Sequence, residues 1–306
     1  MRYSAKLTPS RFRLQCLLLA IGAALVVLPS AALAARPHKV VAVGDIACPP
    51  ERSATATTCR HSQVANRIAG LKPENLWLLG DIQYELGELE NFRRSFDPSF
   101  GRFRSIWRPI PGNHEYATPG ASGYFDYFGR DAGPNRRGYY SFDIGRWHVV
   151  ALNSNCANID CGFQSAQMRW LRRDLRRNRT KCLAAFWHRP FKSSSLHGNS
   201  AAVKPLFKEI RKAGAEFVLA GHDHAYERFA PMLETGRRSW RRGVASFVVG
   251  TGGKSLYPPN EPARHSRFLL STKYGALELK LGVSGYSWRF VDETGRSYDR
   301  GRASCR

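Results

Sequence analysis

Acidic residues are scarce in this chain of 306 residues: 24 Asp and Glu stand against 47 Lys and Arg, a formal charge of +23. Such a surface attracts anions. Low-complexity tracts, internal repeats and long linkers are missing as well. With 43% hydrophobic and 12% aromatic residues, a disordered or fibrous chain is excluded. No two cysteines stand in the close CxxC spacing with which a zinc-thiolate site usually begins. There is no helix-turn-helix, zinc finger or RNP-type aromatic sequence either, so specific nucleic-acid recognition is not expected.

One apolar run has length, and it lies at the start. Arg2, Lys6, Arg11 and Arg13 precede Leu14 to Leu28, and Pro29 and the small-residue sequence Ala32-Leu33-Ala34 follow. This reads as a secretory signal peptide over residues 1–34, with one domain over 35–306 and a secreted or extracytoplasmic, cell-envelope location. An uncleaved anchor is the alternative, but the run is shorter than the ~20 residues of a spanning helix. Without the leader's four bases the chain keeps a formal charge of +19. That charge is compatible with electrostatic association with an anionic cell surface. No second stretch approaches membrane length, so no integral membrane segment is expected after cleavage.

Six cysteines remain after the leader, in a chain addressed to an oxidising compartment, so disulfides are the default. Locality favours Cys48 with Cys59 and Cys156 with Cys161, leaving Cys182 to tie down Cys305. Asn178-Arg179-Thr180 has the form of a glycosylation acceptor, relevant only in a host that glycosylates.

Short β-rich runs alternate with helical-period segments, the pattern of an α/β or α+β fold. Strands are expected at Lys39–Gly44, Asn75–Leu79, Ser105–Ile110, Tyr139–Asp143, Trp147–Asn153, Cys182–Trp187, Glu216–Ala220, Ala245–Val249, Ala276–Leu281 and Gly285–Val291. Helices are expected at His61–Leu71, Glu88–Phe96, Ser165–Asn178 and Ala201–Ala213. In the third helix Met168, Leu171 and Leu175 recur at helical spacing, while Arg169, Arg172, Arg173, Arg176 and Arg177 share another face. It should pack on a sheet with its basic side outward.

The chemistry-bearing residues fall at the ends of these strands. Val43-Gly44-Asp45 closes one and Leu79-Gly80-Asp81-Ile82-Gln83-Tyr84 the next. Pro111-Gly112-Asn113-His114-Glu115, Trp187-His188-Arg189-Pro190 and Gly221-His222-Asp223-His224 follow others. Loops at the carboxyl ends of strands are where open α/β sheets build sites. Singly these matches mean little, but the ordered set can supply two carboxylates, an amide, a phenol and three imidazoles. If one carboxylate bridges, these complete two shells of four protein ligands. The mixed oxygen and nitrogen set suits iron, zinc or manganese.

On these motifs the sequence resembles the calcineurin-like binuclear metallophosphoesterases, and within them the purple acid phosphatases. The superfamily's usual Asp-x-His is broken here, where Ala47 stands two residues after Asp45. Purple acid phosphatases share that departure and place a tyrosine three residues beyond the second aspartate, where Tyr84 stands. The stretch His222-Asp223-His224-Ala225-Tyr226-Glu227-Arg228 is also similar. The resemblance implies a four-layer α-β-β-α sandwich of two mixed sheets flanked by helices. It implies Asp45, Asp81, Tyr84 and His224 around a first metal and Asn113, His188 and His222 around a second, with Asp81 bridging. Fe(III) is implied in the first site, and Fe(II), Zn(II) or Mn(II) in the second. His114 and His197 are implied as the catalytic histidines that face the substrate.

The expected function is therefore a secreted acid phosphatase that cleaves small phosphate esters with metal-held hydroxide. A phosphodiesterase or nucleotidase of the same superfamily would use the same cluster, and a secreted anion-binding protein is the reading from another class.

Overall fold

The computed structural model describes residues 1–5, 36–178 and 182–306. The expected leader from residue 6 on, and residues 179 and 180 of the glycosylation triplet, lie outside the described residues.

Six strands form one mixed sheet. β1 (His38–Val43), β2 (Asn75–Leu78) and β3 (Trp107–Pro109) run parallel. The rest of the chain intervenes before β11 (Gly275–Leu281), β12 (Gly285–Asp292) and β13 (Ser297–Ser304) extend it antiparallel, in the order β13-β12-β11-β1-β2-β3. The second sheet has seven strands: β4 (Tyr140–Ile144), β5 (Trp147–Ala151), β6 (Cys182–Phe186), β7 (Phe217–Ala220), β8 (Tyr226–Met232), β9 (Val244–Val249) and β10 (Ser266–Leu270). Their order is β10-β8-β9-β7-β6-β5-β4, with β5, β6, β7 and β9 parallel.

The side-chain period of two fixes how the layers stack. Val40 and Ala42 of β1, with Trp77 of β2 and the adjoining Leu79, belong to the core shared with the second sheet, where Trp77 stacks on Phe186 at 5.1 Å. Their neighbours Val41, Val43, Leu76 and Leu78 face the other way, onto Val64, Ala65 and Ile68 of helix α1 (His61–Leu71). A continuous helical stretch also covers that face: α2 (Leu89–Asn91), a π-helical turn Phe92–Phe96 and α3 (Asp97–Phe100), with the short α4 (Ser122–Phe128) against it. On the second sheet, α5 (Ala166–Arg177) buries Met168 and Leu171, and α6 (Lys204–Lys212) buries Leu206, Phe207 and Ile210. The result is the expected four-layer α-β-β-α sandwich. Ser165 caps α5 by accepting from the Met168 N–H at 3.1 Å, which satisfies one of the orphan donors of a helix start. The arginine stripe of α5 points outward as expected, and Arg173, Arg176 and Arg177 are exposed.

Expected elements and observed ones differ in instructive places. Strands β8, β10 and β13 and helix α4 were not expected. β13 reads SYDRGRAS and β8 carries Glu227, Arg228 and Pro231, so neither shows the apolar run or clean alternation that marks a strand. The Glu88 helix runs on to Phe100, with Pro98 accepted in the first turn of α3. The three disulfides join Cys48 to Cys59, Cys156 to Cys161 and Cys182 to Cys305, as locality suggested. Among the described residues no helix is long and apolar enough to cross a membrane.

Because β1, β2 and β3 of one sheet and β6 and β7 of the other are parallel strands linked through helices, their carboxyl ends open onto one edge of the sandwich.

Candidate metal centre

All seven expected donors meet at that edge. The Tyr84 phenol oxygen lies 2.9 Å from Asp45 Oδ1, 3.2 Å from Asp81 Oδ2 and 2.9 Å from His224 Nε2. A second group gathers around His188 Nε2, which is 3.2 Å from Asn113 Oδ1, from His222 Nδ1 and from Asp81 Oδ2. Asp81 is common to both. Asp45, Asp81, Tyr84, His188, His222 and His224 are buried, and Asn113 is half-buried.

The proton count shows what these atoms can hold. A phenol has one proton, yet two carboxylate oxygens and an imidazole nitrogen crowd Tyr84 Oη, so it can donate to at most one of the three. His188 Nδ1 donates to the Leu79 carbonyl at 2.9 Å, so Nε2 is the ring atom turned to the cluster. His224 Nδ1 is engaged by Ser255 Oγ at 3.0 Å, a hydroxyl that can donate or accept, leaving Nε2 for the cluster. Such outer partners fix the tautomer of ligand histidines. Lone pairs converging on shared points, with too few protons between them, fit cations. Asp81, His188 and His222 alone bring three ligand atoms within 4.8 Å of one another.

Burial works to lower the His188 pKa, but Asp81 outweighs it and raises it to about 9, so a cation at Nε2 would take the place of a proton. Burial works to raise the Asp81 pKa, but His188, His114 and His222 overcome it and hold the carboxyl far below its ordinary range. Burial and the neighbouring Asp45 and Asp81 push the Tyr84 phenol well above 10, so only a strongly charged cation would displace its proton. Burial, together with His188, drops His222 to about 2, leaving a neutral ring.

The backbone is strained where the donors sit. Asp45, Asp81 and His222 have φ of 62°, 45° and 70°, a left-handed conformation that costs on the order of 1–3 kcal/mol per non-glycine residue and clusters at functional sites. Glycines make room: a Cβ on Gly112 would lie 2.1 Å from Asp81 Oδ1. One on Gly250 would lie 2.8 Å from Asp45 Oδ2, so the Gly250-Thr251-Gly252-Gly253 turn after β9 packs its backbone against this loop.

Both candidate catalytic histidines reach the cluster. His114 Nδ1 contacts the Glu85 carbonyl at 2.6 Å, and its Nε2 faces Asp81 Oδ2 at 4.0 Å. His197 is exposed, yet its ring stacks on His222 at 4.4 Å, and its backbone N–H donates to Asp223 Oδ1 at 2.8 Å. Arg189, given no role from the sequence, donates to His222 Nε2 at 3.0 Å.

Two groups of residues were given no role from the sequence. Glu115, fully buried, accepts from the backbone N–H of Gly112, Asp81, Ile82 and Gln83 at 2.6 to 3.1 Å. It clamps the Asp81–Tyr84 loop to the Asn113–His114 loop, and its place directly after His114 was the available signal. The segment after β9 supplies Lys254, ion-paired with Glu85 and 4.8 Å over the Tyr84 ring. It also supplies Ser255, and Tyr257, which stacks on His224 at 4.0 Å. Its position at the end of another parallel strand was the signal there.

Comparison with known proteins follows this geometry. Residues 38–226 match the profile of the calcineurin-like phosphoesterase family. "Probable inactive purple acid phosphatase 9" of Arabidopsis thaliana is 25% identical over 233 residues, 62% of this chain and 35% of its own. Purple acid phosphatase 15 of the same plant is 28% identical over 238 residues, 66% of this chain and 42% of its own. The chain thus spans less than half the length of these relatives. Among solved structures, purple acid phosphatase PPD1 from yellow lupin seeds superposes with a TM-score of 0.71 at 20% identity, covering 87% of this chain and 53% of that one. That likeness bears on the fold.

Proposed function

The chain belongs to the calcineurin-like phosphoesterase family, and from that premise we propose that it is a secreted acid phosphatase that hydrolyses small phosphomonoesters. Family membership does not carry the proposal alone, since one relative is named as probably inactive. The observation that carries it is the convergence of a full donor set on two points that share Asp81.

In this reading Asp45, Asp81, Tyr84 and His224 hold one cation, and Asp81, Asn113, His188 and His222 hold the other. The phenol and carboxylates favour Fe(III) in the first position, while the imidazole-rich second suits Fe(II), Zn(II) or Mn(II). When bound, such a pair supplies Lewis acidity toward a phosphoryl oxygen and lowers the pKa of water from 15.7 toward ~7 or below.

The chain's own residues do the rest. Glu115 and the left-handed turns keep the donors in place before any substrate arrives. The Glu85 carbonyl accepts from His114 Nδ1–H and so directs Nε2 at the mouth. With a proton on Nε2, His114 donates to the leaving alcohol, a contribution of ~10²- to 10⁴-fold for general acid catalysis. His197, held against His222 and 5.5 Å from Tyr257, offers a second donor to the phosphate. The two disulfides nearest these loops, Cys48–Cys59 and Cys156–Cys161, suit an extracytoplasmic setting.

The test is hydrolysis of an aryl phosphomonoester and the matching diester by the metal-loaded full chain from acid to mildly alkaline pH. Monoester turnover highest in acid is the expected result. Preference for the diester, or cleavage of neither, would overturn the proposal.

A further inference from the structure

The ends of the strands remote from the metal centre carry a second concentrated feature. β8 starts two residues after His224 and runs seven residues away from the centre, roughly 20 Å at strand rise. The hairpin that returns to β9 reads Arg237-Arg238-Ser239-Trp240-Arg241-Arg242, and all four arginines are exposed. Trp240 is 61% exposed, with the guanidiniums of Arg238 and Arg267 each 5.6 Å from its ring. Desolvation, and with it the charges of Arg264, Arg238 and Arg267, lowers the imidazole pKa of His265. The hairpin borders a cleft of about 400 Å³ whose walls include Arg228, Arg267, Arg302 and Arg306. The outer strands continue the pattern, since Arg300 lies directly across from Arg289 and Arg302 across from Ser287, beside Lys280.

Acids do not neutralise this surface. Glu216, Glu234, Glu278 and Asp299 are each already held by one arginine, respectively Arg306, Arg211, Arg289 and Arg228. Among the described residues no ion pair is formed by Arg237, Arg238, Arg241, Arg242, Arg264, Arg267, Arg300 or Arg302. Since Glu278 balances Arg289, the uncompensated charge on these outer strands is that of Arg300 and Arg302.

We infer that this end is a docking surface for an acidic polysaccharide, which would hold the protein while leaving the metal centre open at the other end. A chain bearing carboxylate or sulfate groups can run along the cleft and meet the guanidiniums of Arg267 and Arg302, which have no ion pair among the described residues. A flat bilayer would meet only the rim. Single-stranded nucleic acid needs free rings on which successive bases stack, but the Trp240 ring is flanked by two guanidiniums, Arg228 lies 5.2 Å over Trp288, and Phe229, Phe247 and Tyr286 are buried. Binding of this kind weakens steeply with salt.

The experiment measures binding of the full chain to polygalacturonate, to vesicles of phosphatidylglycerol and phosphatidylcholine, and to a single-stranded oligonucleotide, at low and physiological salt. The triple variant Arg238→Gln, Arg241→Gln, Arg242→Gln is compared with Arg173→Gln, Arg176→Gln, Arg177→Gln on the exposed face of α5, which loses the same charge. Polygalacturonate binding should fall on the order of tenfold or more in the hairpin variant and change little in the α5 variant. Both variants should keep the melting temperature and ester hydrolysis of the parent. Equal losses in the two variants would reduce the effect to diffuse net charge. Tighter binding to vesicles or oligonucleotide, or no binding of the parent to polygalacturonate, would overturn the inference.

Discussion

At the carboxyl ends of β1, β2, β3, β6 and β7, polar atoms are buried, protons are too few for the lone pairs that meet, and three donor residues hold a left-handed backbone. At the opposite ends, around the β8–β9 hairpin and the edge of β13, the charged groups are exposed, of one sign and carried on side chains that reach into water. One sandwich thus supports two kinds of electrostatic device. One depends on positions held to fractions of an ångström. The other depends on charge density and tolerates movement of any single arginine. A substitution at the first end should therefore change chemistry steeply, and one at the second should change only association.

The largest break in that contrast is expected at Asp81. Its carboxylate serves both donor groups, so Asp81→Ala should bring ester hydrolysis to background, measured against the triple hairpin variant, which should retain parental turnover. Next in size is His114→Ala. With the donor set untouched, metal content should be kept while kcat falls ~10²- to 10⁴-fold, read by turnover and elemental analysis of the same sample.

Glu115→Gln sharpens the comparison one layer out. An amide NH2 would replace an oxygen that accepts backbone N–H groups, setting donor against donor and loosening the loop. Metal affinity should drop ~10- to 100-fold, as for other outer-shell partners, measured by titration with a competing chelator.

The smallest effect belongs to the end remote from the centre. His148, near the start of β5, is buried between Asp143 Oδ1 at 2.7 Å and Asp174 Oδ2 at 2.8 Å. Burial lowers its pKa, but the two carboxylates outweigh burial and raise it. A histidine with a raised folded pKa adds stability that is fully present below its unfolded value of about 6.5 and is lost as pH rises through the folded value. His148→Gln should cost about 1.5–3 kcal/mol in acid and less in alkali. Melting temperatures across that range would sink this assignment if the variant's deficit did not shrink with rising pH.

The two ends also differ in how far the sequence reveals them. Each donor group of the metal centre stands in a short motif at the end of an apolar strand, and parallel topology then delivers all of them to one edge. Local pattern was enough for Asp45, Asp81, Tyr84, Asn113, His188, His222 and His224 to be named, and the family resemblance sorted them into two groups. Glu115 closed a recognised motif without a role of its own, because its four backbone contacts join loops about thirty residues apart in sequence. Nothing local announces such a clamp. Lys254, Ser255 and Tyr257 lie beyond the stretch where the resemblance is strong.

The arginine surface was visible only as a total charge. Its members come from the β8–β9 hairpin, β10, β12 and β13, and three of those four elements include strands missed in the sequence. β8 and β13 are polar because one packs Glu227 against Ser194 and Ser266 and the other forms the edge of its sheet. Edge strands do not need an apolar alternation, so periodicity passes over them. The same property leaves their arginines free to face solvent.

The account rests on two cations that share Asp81, and the most direct test is the metal content of the purified full chain supplied with iron and zinc. Two equivalents per parent chain, with both lost in Asp81→Ala, is the predicted result. One equivalent or none in the parent, or two retained without the shared carboxylate, would contradict it.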